Sequence, residues 1–259
     1  MVLRGFRNNK ESDNDMPIYT FDKDKVIDFT DDAEYPCKAY RVEGEKELRS
    51  VVYPEKKSRS TFYGYADKDS SLTILADDEN ETPERYNLKA GMYFSAARSI
   101  KIRGSAVVIE RLDYEGLFSL GGAIEEVGRL KYIDGCSDTL LISPPKIGDP
   151  CLNHLHFPTK IDQTMHTHPT VRIGIVAKGK GKCKTPDETF DLYEGLCWYL
   201  PVDGVHGFET SDESTMDIIA WHPDSDTGPT DEDHPMINRT YVDGTSARHI
   251  DEIKTQRVR

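Results

Sequence analysis

Three histidines and one arginine between residues 166 and 206 are the side chains of this sequence best placed to do chemistry. His166-Thr-His168 sets two imidazoles one residue apart, and on a strand such residues point to the same face. A third imidazole, His206, can arrive from a neighbouring antiparallel strand. Three neutral nitrogen donors would hold a divalent metal and leave coordination positions open, as a catalytic site needs. On a regular strand residues 168, 170 and 172 share that face, so Arg172 is expected to point into the same cavity unless Pro169 turns it outwards. A guanidinium stays protonated and cannot serve as a metal ligand. It can grip a substrate carboxylate by a two-pronged hydrogen bond, or pair with an internal acid such as Glu209 or Asp217; both readings stay open.

Other polar residues surround this group in sequence. Gln163, three residues before the first histidine, is a candidate oxygen donor or a group that orients an imidazole; it is also an ordinary residue for a strand entrance. His154 and His156 alternate towards one face of the preceding strand, and Tyr199 lies on the strand leading to His206. Each can line the pocket and carry protons, or pack. His222 and His234 both precede prolines and are assigned to loop structure.

These residues resemble the two motifs of the cupin superfamily. The first motif is HxH, three or four residues, Glu, six residues and Gly; the second is Gly, five residues and PxGxxH. Here His166 and His168 are followed by three residues, Arg172, six residues and Gly179, and Gly195 by five residues, Pro201 and His206. Two identities depart: Arg172 stands where the family has its glutamate ligand, and Asp203 takes the glycine position of the second motif. The resemblance covers roughly residues 130 to 225 and implies a jelly-roll barrel, a fold that hosts many unrelated activities. Cupins with three histidines and no glutamate look like thiol dioxygenases, gentisate-type ring-cleaving dioxygenases and diketone-cleaving enzymes. The resemblance therefore implies an Fe(II) dioxygenase acting on a small carboxylate-bearing molecule, with His166, His168 and His206 on iron and Arg172 on the substrate. A lyase or isomerase using Zn(II), Mn(II) or Ni(II), with Gln163 as fourth ligand and Tyr199 as base, is the second expectation. A small-anion-binding cupin without turnover is the third. Cupin barrels often pair through their sheets, so a homodimer is expected.

The elements that must position these residues read as all-β. Short segments rich in Val, Ile, Tyr and Phe run through Cys37 to Val42, Leu48 to Tyr53, Ser60 to Tyr65, Leu72 to Ala76, Met92 to Ala96 and Ser99 to Leu112, separated by polar clusters. A faint repeat links Leu88-Lys-Ala-Gly91-Met-Tyr-Phe to Leu192-Tyr-Glu-Gly195-Leu-Cys-Trp at an offset of 104 residues. Two tandem cupin-type barrels are therefore expected. All eight histidines lie at or after His154, so the first barrel has no histidine site. Carrying the offset back places Phe62 and Gly64 where His166 and His168 lie. The expected division is a flexible segment over 1–16, a degenerate barrel over 17–128, a metal-binding barrel over 129–225 and a C-terminal strap over 226–259. Between the halves, 114–130 is expected to hold a turn and one short helix.

Composition narrows the function classes. The 259 residues carry a net charge of −13, and between Asp203 and Pro235 there are ten acidic residues and no Lys or Arg. Such a surface repels nucleic acid and anionic membranes, so neither is expected as a partner. The five cysteines show no CxxC spacing, which argues against a disulfide framework or a zinc ribbon and for a reducing compartment. No segment has the length and hydropathy of a signal peptide or a membrane span, and a cytoplasmic location is expected.

Overall fold

The computed structural model describes the backbone of residues 2–4 and all of residues 18–254. The expected flexible segment 1–16 falls outside these residues except for Val2–Arg4, which pairs in parallel with Val26–Phe29. Nearly all of the regular structure in the described residues is strand. Two nine-stranded sheets carry it, one assembled from residues 2–121 and the other from residues 130–222 plus Tyr19–Phe21. Among the described residues no helix is long and apolar enough to cross a membrane.

The two sheets repeat one strand order. In the first, Val26–Phe29, Cys37–Leu48, Ile100–Arg111, Thr61–Ala66, Tyr93–Ala96 and Ser119–Gly121 lie side by side. In the second the sequence is Ser137–Ile142, Cys151–Phe157, Met216–His222, Arg172–Lys184, Cys197–Leu200 and Tyr19–Phe21. Even the hydrogen bonds at the glycine turns match. Gly91 donates to Ala66 and Gly195 to Val176, both at 2.8 Å, and both glycines have positive φ, +88° and +86°, where a β-carbon would be strained.

The constant 104-residue offset does not hold through the repeat. Phe94 pairs with Gly64 and Trp198 with Gly174, so the offset of 104 on one strand becomes 110 on the next. Gly64 is thus the counterpart of Gly174 and not of His168. The expected helix in 114–130 is also absent: the segment runs as irregular chain and the short strand Ser119–Gly121. The strand at Cys37 runs on to Leu48, so the expected strand from Leu48 shrinks to Val52–Tyr53.

Three apolar clusters hold these layers. One lies between the sheets, where Tyr63, Tyr65, Val107 and Ile109 of the first meet Ile173, Ile219 and Trp221 of the second. The inside of the first half is filled by Phe62, Phe94, Leu72, Ile100 and Ile102, all fully buried. A β-carbon on Gly64 would stand 2.3 Å from the Phe94 ring, so that interior is tightly packed at this point. Trp198, Phe208, Ile218 and Phe157 line the second interior, which stays open at one end.

From Ser225 onward the chain lies across the 146–149 loop. Ile147 donates to Pro229, Gly148 to Ser225, and Lys146 pairs with Asp231 at 3.1 Å. The segment ends in the single turn Pro235–Asn238, a two-residue hairpin and Ala247–His249. His234 caps that turn by accepting from Met236.

Candidate metal centre and pocket

His166 and His206 are placed by an antiparallel bridge in which each residue donates its N–H to the other's carbonyl, at 2.8 and 2.9 Å. Directly opposed residues put their side chains on one face, and His168, two residues on, joins them. The three ring centroids form a triangle with sides of 4.6, 5.0 and 5.1 Å. One ligand atom from each lies within 4.8 Å of the others.

The turn that delivers His206 depends on Asp203. It adopts φ +58°, a left-handed conformation that aspartate tolerates better than most residues, and its N–H donates to the His168 carbonyl at 2.9 Å. Asp203, at the position where the resemblance leads one to expect glycine, thus holds a left-handed bend.

The imidazoles fit a metal. Nδ1 of His166 lies 2.8 Å from the Thr164 carbonyl and Nδ1 of His206 lies 2.8 Å from the Gly204 carbonyl, so the proton sits on Nδ1 and the Nε2 lone pair is free. Nε2 of His206 is buried and has no hydrogen-bond partner among the described residues, an orphan that a bound cation would satisfy. Burial, with Arg172 and the other two imidazoles, pushes His168 down to about 2. Burial, aided by His166 and Arg172, pushes His206 down to about 4. Both rings are neutral donors at pH 7.

Arg172 shares this cavity, about 270 Å³ in volume, with the three histidines. Its route differs from the expected one. Residues 167–171 are not strand, and Arg172 opens the strand Arg172–Lys184 that pairs with Cys197–Leu200. Among the described residues its hydrogen bonds all leave from Nη1, to the Thr170 carbonyl at 3.0 Å, the Thr170 hydroxyl, and the Val171 carbonyl at 3.3 Å. The acids suggested by sequence are engaged elsewhere: Asp217 binds His154 and His156, and Glu209 lies 3.9 Å from Lys184. Burial lowers the Arg172 pKa, and Asp224 is the carboxylate that most opposes the shift.

Gln163 lies in the cavity wall, 2% exposed, but orients no imidazole. Its Oε1 accepts from the Phe208 N–H at 3.3 Å and its Nε2 faces Cys136.

The three reserve proton carriers stand outside the cavity. On Cys151–Phe157 the residues Asn153, Leu155 and Phe157 face inward, which sends His154 and His156 to the opposite side, where both bond Oδ1 of Asp217 at 2.8 Å. On Cys197–Leu200 it is Trp198 and Leu200 that face inward. Tyr199 instead stacks on Tyr19 at 4.7 Å in the cluster between the sheets. Parity told which residues share a face, but not which face is inside.

Beyond the apolar lining, four polar pocket residues were missed: Tyr132, Asp138, Asn153 and His222. His222 ends the strand Met216–His222, so its loop assignment is corrected; Ile218, Ala220 and His222 share the inward face. Nε2 of His222 lies 3.0 Å from Oδ1 of Asn153, whose amide nitrogen donates to both oxygens of Asp138 at 2.9 and 3.0 Å. Parity on the Met216–His222 strand was the available signal. A second cleft, about 500 Å³, opens in the first half. Arg59 and Arg98 are tied there to Asp77 and Glu81, and no histidine or cysteine lines it.

Residues 149–251 match the family model of the AraC-like ligand binding domain. Solved structures of similar fold include a cupin 2 conserved barrel domain protein from Leptotrichia buccalis, 12% identical, with a TM-score of 0.53 over 84% of this chain and 92% of that one. The protein Ylba from E. coli is similar at 10% identity and a TM-score of 0.53, covering 82% and 85%. Salicylate 1,2-dioxygenase from Pseudoaminobacter salicylatoxidans, with gentisate adducts, is similar at 9% identity and a TM-score of 0.50, covering 73% and 68%. At these identities the likeness is one of fold. No curated protein matches the sequence.

Proposed function

We propose, from the premise that this chain has the cupin fold, that it is a non-haem Fe(II) dioxygenase acting on a small carboxylate-bearing organic molecule. The observation that carries this reading is the convergence of three imidazoles and one guanidinium on a single cavity. His166, His168 and His206 would hold the iron, the first and last through Nε2. Bound there, Fe(II) would supply open coordination positions and the electrons for reaction with dioxygen. Arg172, with Nε and Nη2 free of partners among the described residues, would take the substrate carboxylate. Phe157, Trp198, Leu200, Phe208 and Ile218 would enclose the organic body and keep water away. The same proposal reads 17–128 and 129–225 as two cupin barrels, the first packed solid, and 226–259 as a strap.

The test is metal analysis followed by oxygen uptake. Protein purified without a metal-affinity tag should carry iron, His166→Ala should lose it, and iron-loaded protein should consume oxygen with a carboxylic acid in a screened set. Tight zinc, manganese or nickel with no oxygen uptake would redirect the search to non-redox chemistry. That alternative has lost two supports, since Oε1 of Gln163 already serves Phe208 and Tyr199 faces the other sheet. A ligand-binding module without turnover is the second reading, favoured by the match to the AraC-like ligand binding domain. It predicts carboxylate binding with no oxygen consumption at any metal loading.

A further inference from the structure

Asp224 stands one hydroxyl away from Arg172. Thr170, 6% exposed, donates its Oγ1 hydrogen to Oδ1 of Asp224 at 2.6 Å, and the same oxygen accepts from Nη1 of Arg172. The two acceptor bonds to the carbonyls of Thr170 and Val171 hold that nitrogen from the backbone side. Among the described residues all its hydrogen bonds thus fall on one corner of the guanidinium. A hydroxyl has a single hydrogen, so once it is committed to Asp224 its lone pairs face Arg172, and the acceptor role is fixed.

A buried guanidinium normally finds a carboxylate and pairs with it through two parallel bonds. Direct pairing here would occupy the Nε–Nη2 edge and neutralise the cation. With Thr170 interposed, Asp224 supports the positive charge from a distance, and Nε and Nη2 keep no hydrogen-bond partner among the described residues on a side chain that lines the cavity. Asp224 is itself anchored by its place in the fold: its carbonyl oxygen lies 2.9 Å from Nδ1 of His222, at the end of an inward-facing strand.

We propose that Thr170 and Asp224 are positioning residues that keep Arg172 out of an internal ion pair and available to an anionic ligand. The inference rests on the reading of Arg172 as the anion-binding group. Its specific content is that the hydroxyl of Thr170 acts as a spacer that prevents an internal ion pair.

Crystals soaked in bromide and measured at the bromine absorption edge test both ideas separately. In the wild type a bromide should lie against Nε and Nη2 of Arg172. Thr170→Val keeps the shape of the side chain and removes the hydroxyl; Arg172 should swing to Asp224 and the bromide signal there should vanish. Thr170→Ser should restore both the side-chain direction and the bromide, which a requirement for packing by the threonine methyl would not do. Absence of bromide at Arg172 in the wild type would sink the anion-binding reading, whatever Thr170→Val does to the side chain. Bromide bound equally in wild type and Thr170→Val, with Arg172 unmoved, overturns the spacer proposal and leaves that reading intact. Metal content of each variant, measured by elemental analysis, should match the wild type and shows that the histidine cluster has kept its form.

Discussion

His166 and His206 exchange both backbone hydrogen bonds across an isolated bridge, and their rings stand 4.6 Å apart. The backbone alone therefore sets the spacing of two of the three candidate ligands. Their Nδ1 atoms are held by carbonyl oxygens of Thr164 and Gly204, groups that no side-chain substitution removes.

Loss of a ligand and loss of a neighbour should separate cleanly in this site. His206→Ala is expected to weaken divalent-metal binding by well over the ~10–100-fold typical of an outer-shell change. Gln163→Ala should leave the metal affinity within a few-fold and instead cost about 1–3 kcal/mol of stability, because the buried Phe208 N–H loses its acceptor. Equilibrium dialysis and urea unfolding of the two variants check the pair.

Arg172 is a cost to the fold as well as a candidate tool. It is half-buried, and the carboxylate that supports it most, Asp224, stands behind Thr170. Arg172→Met should abolish carboxylate binding while leaving the unfolding free energy unchanged within about 1 kcal/mol, or raising it, as happens when buried charges are replaced by apolar groups of like size. Calorimetric binding and a melting curve on one preparation would read both effects, and a large fall in stability would count against this account.

Three imidazoles of the pocket give the metal-free protein a pH-dependent stability. Burial lowers His206 to about 4, His222 to about 3 and His168 to about 2, while in the unfolded chain they titrate near ~6.5. Below that value the unfolded state binds more protons, so stability is full above it and falls as pH drops towards the folded values. The slope is up to about 1.4 kcal/mol per pH unit for each group. His222→Gln should flatten the curve between pH 4 and 6 by about one such increment, as measured by urea midpoints.

Two equivalent glycines should differ in what they tolerate. A β-carbon at Gly174 would meet the Ile219 carbonyl at 1.9 Å, whereas at Gly64 it would meet the outer atoms of the Phe94 ring at 2.3 Å. Backbone cannot yield as a ring edge can. Gly174→Ala should therefore cost more than about 3 kcal/mol, and Gly64→Ala measurably less; thermal unfolding of both variants decides.

Much of the site was legible because motif spacing fixes strand, turn and strand in one stroke. His166, His168 and His206 need only that geometry, and Arg172 needs only to begin the next strand. Tyr199, His154 and His156 were misplaced for a different reason. Alternation is symmetric between inside and outside, and a strand between two packed layers is apolar on both faces. Asn153 and His222 face inward by the same parity that sends His154 and Asp217 outward, a fact that becomes visible only once one residue on each strand is anchored. The repeat was legible at its glycine turns, Gly91 and Gly195, and misleading beyond them, because six more residues separate the paired positions in the first half.

The short strand Tyr19–Phe21 has a consequence for the molecule as a whole. It lies at the edge of the second sheet, pairing with Cys197–Leu200, and Ile18 beside it is buried against the group that contains Trp198, Leu200 and Phe208. The wall behind the histidines is thus finished by residues encoded far upstream. A fragment starting at residue 129 would leave that edge bare, open to aggregation or to capture of a foreign strand. Added in trans, a peptide spanning residues 18–29 should act as the missing splint and restore its solubility. In this sense the second half is clasped by the first, and is not a module that can be lifted out whole.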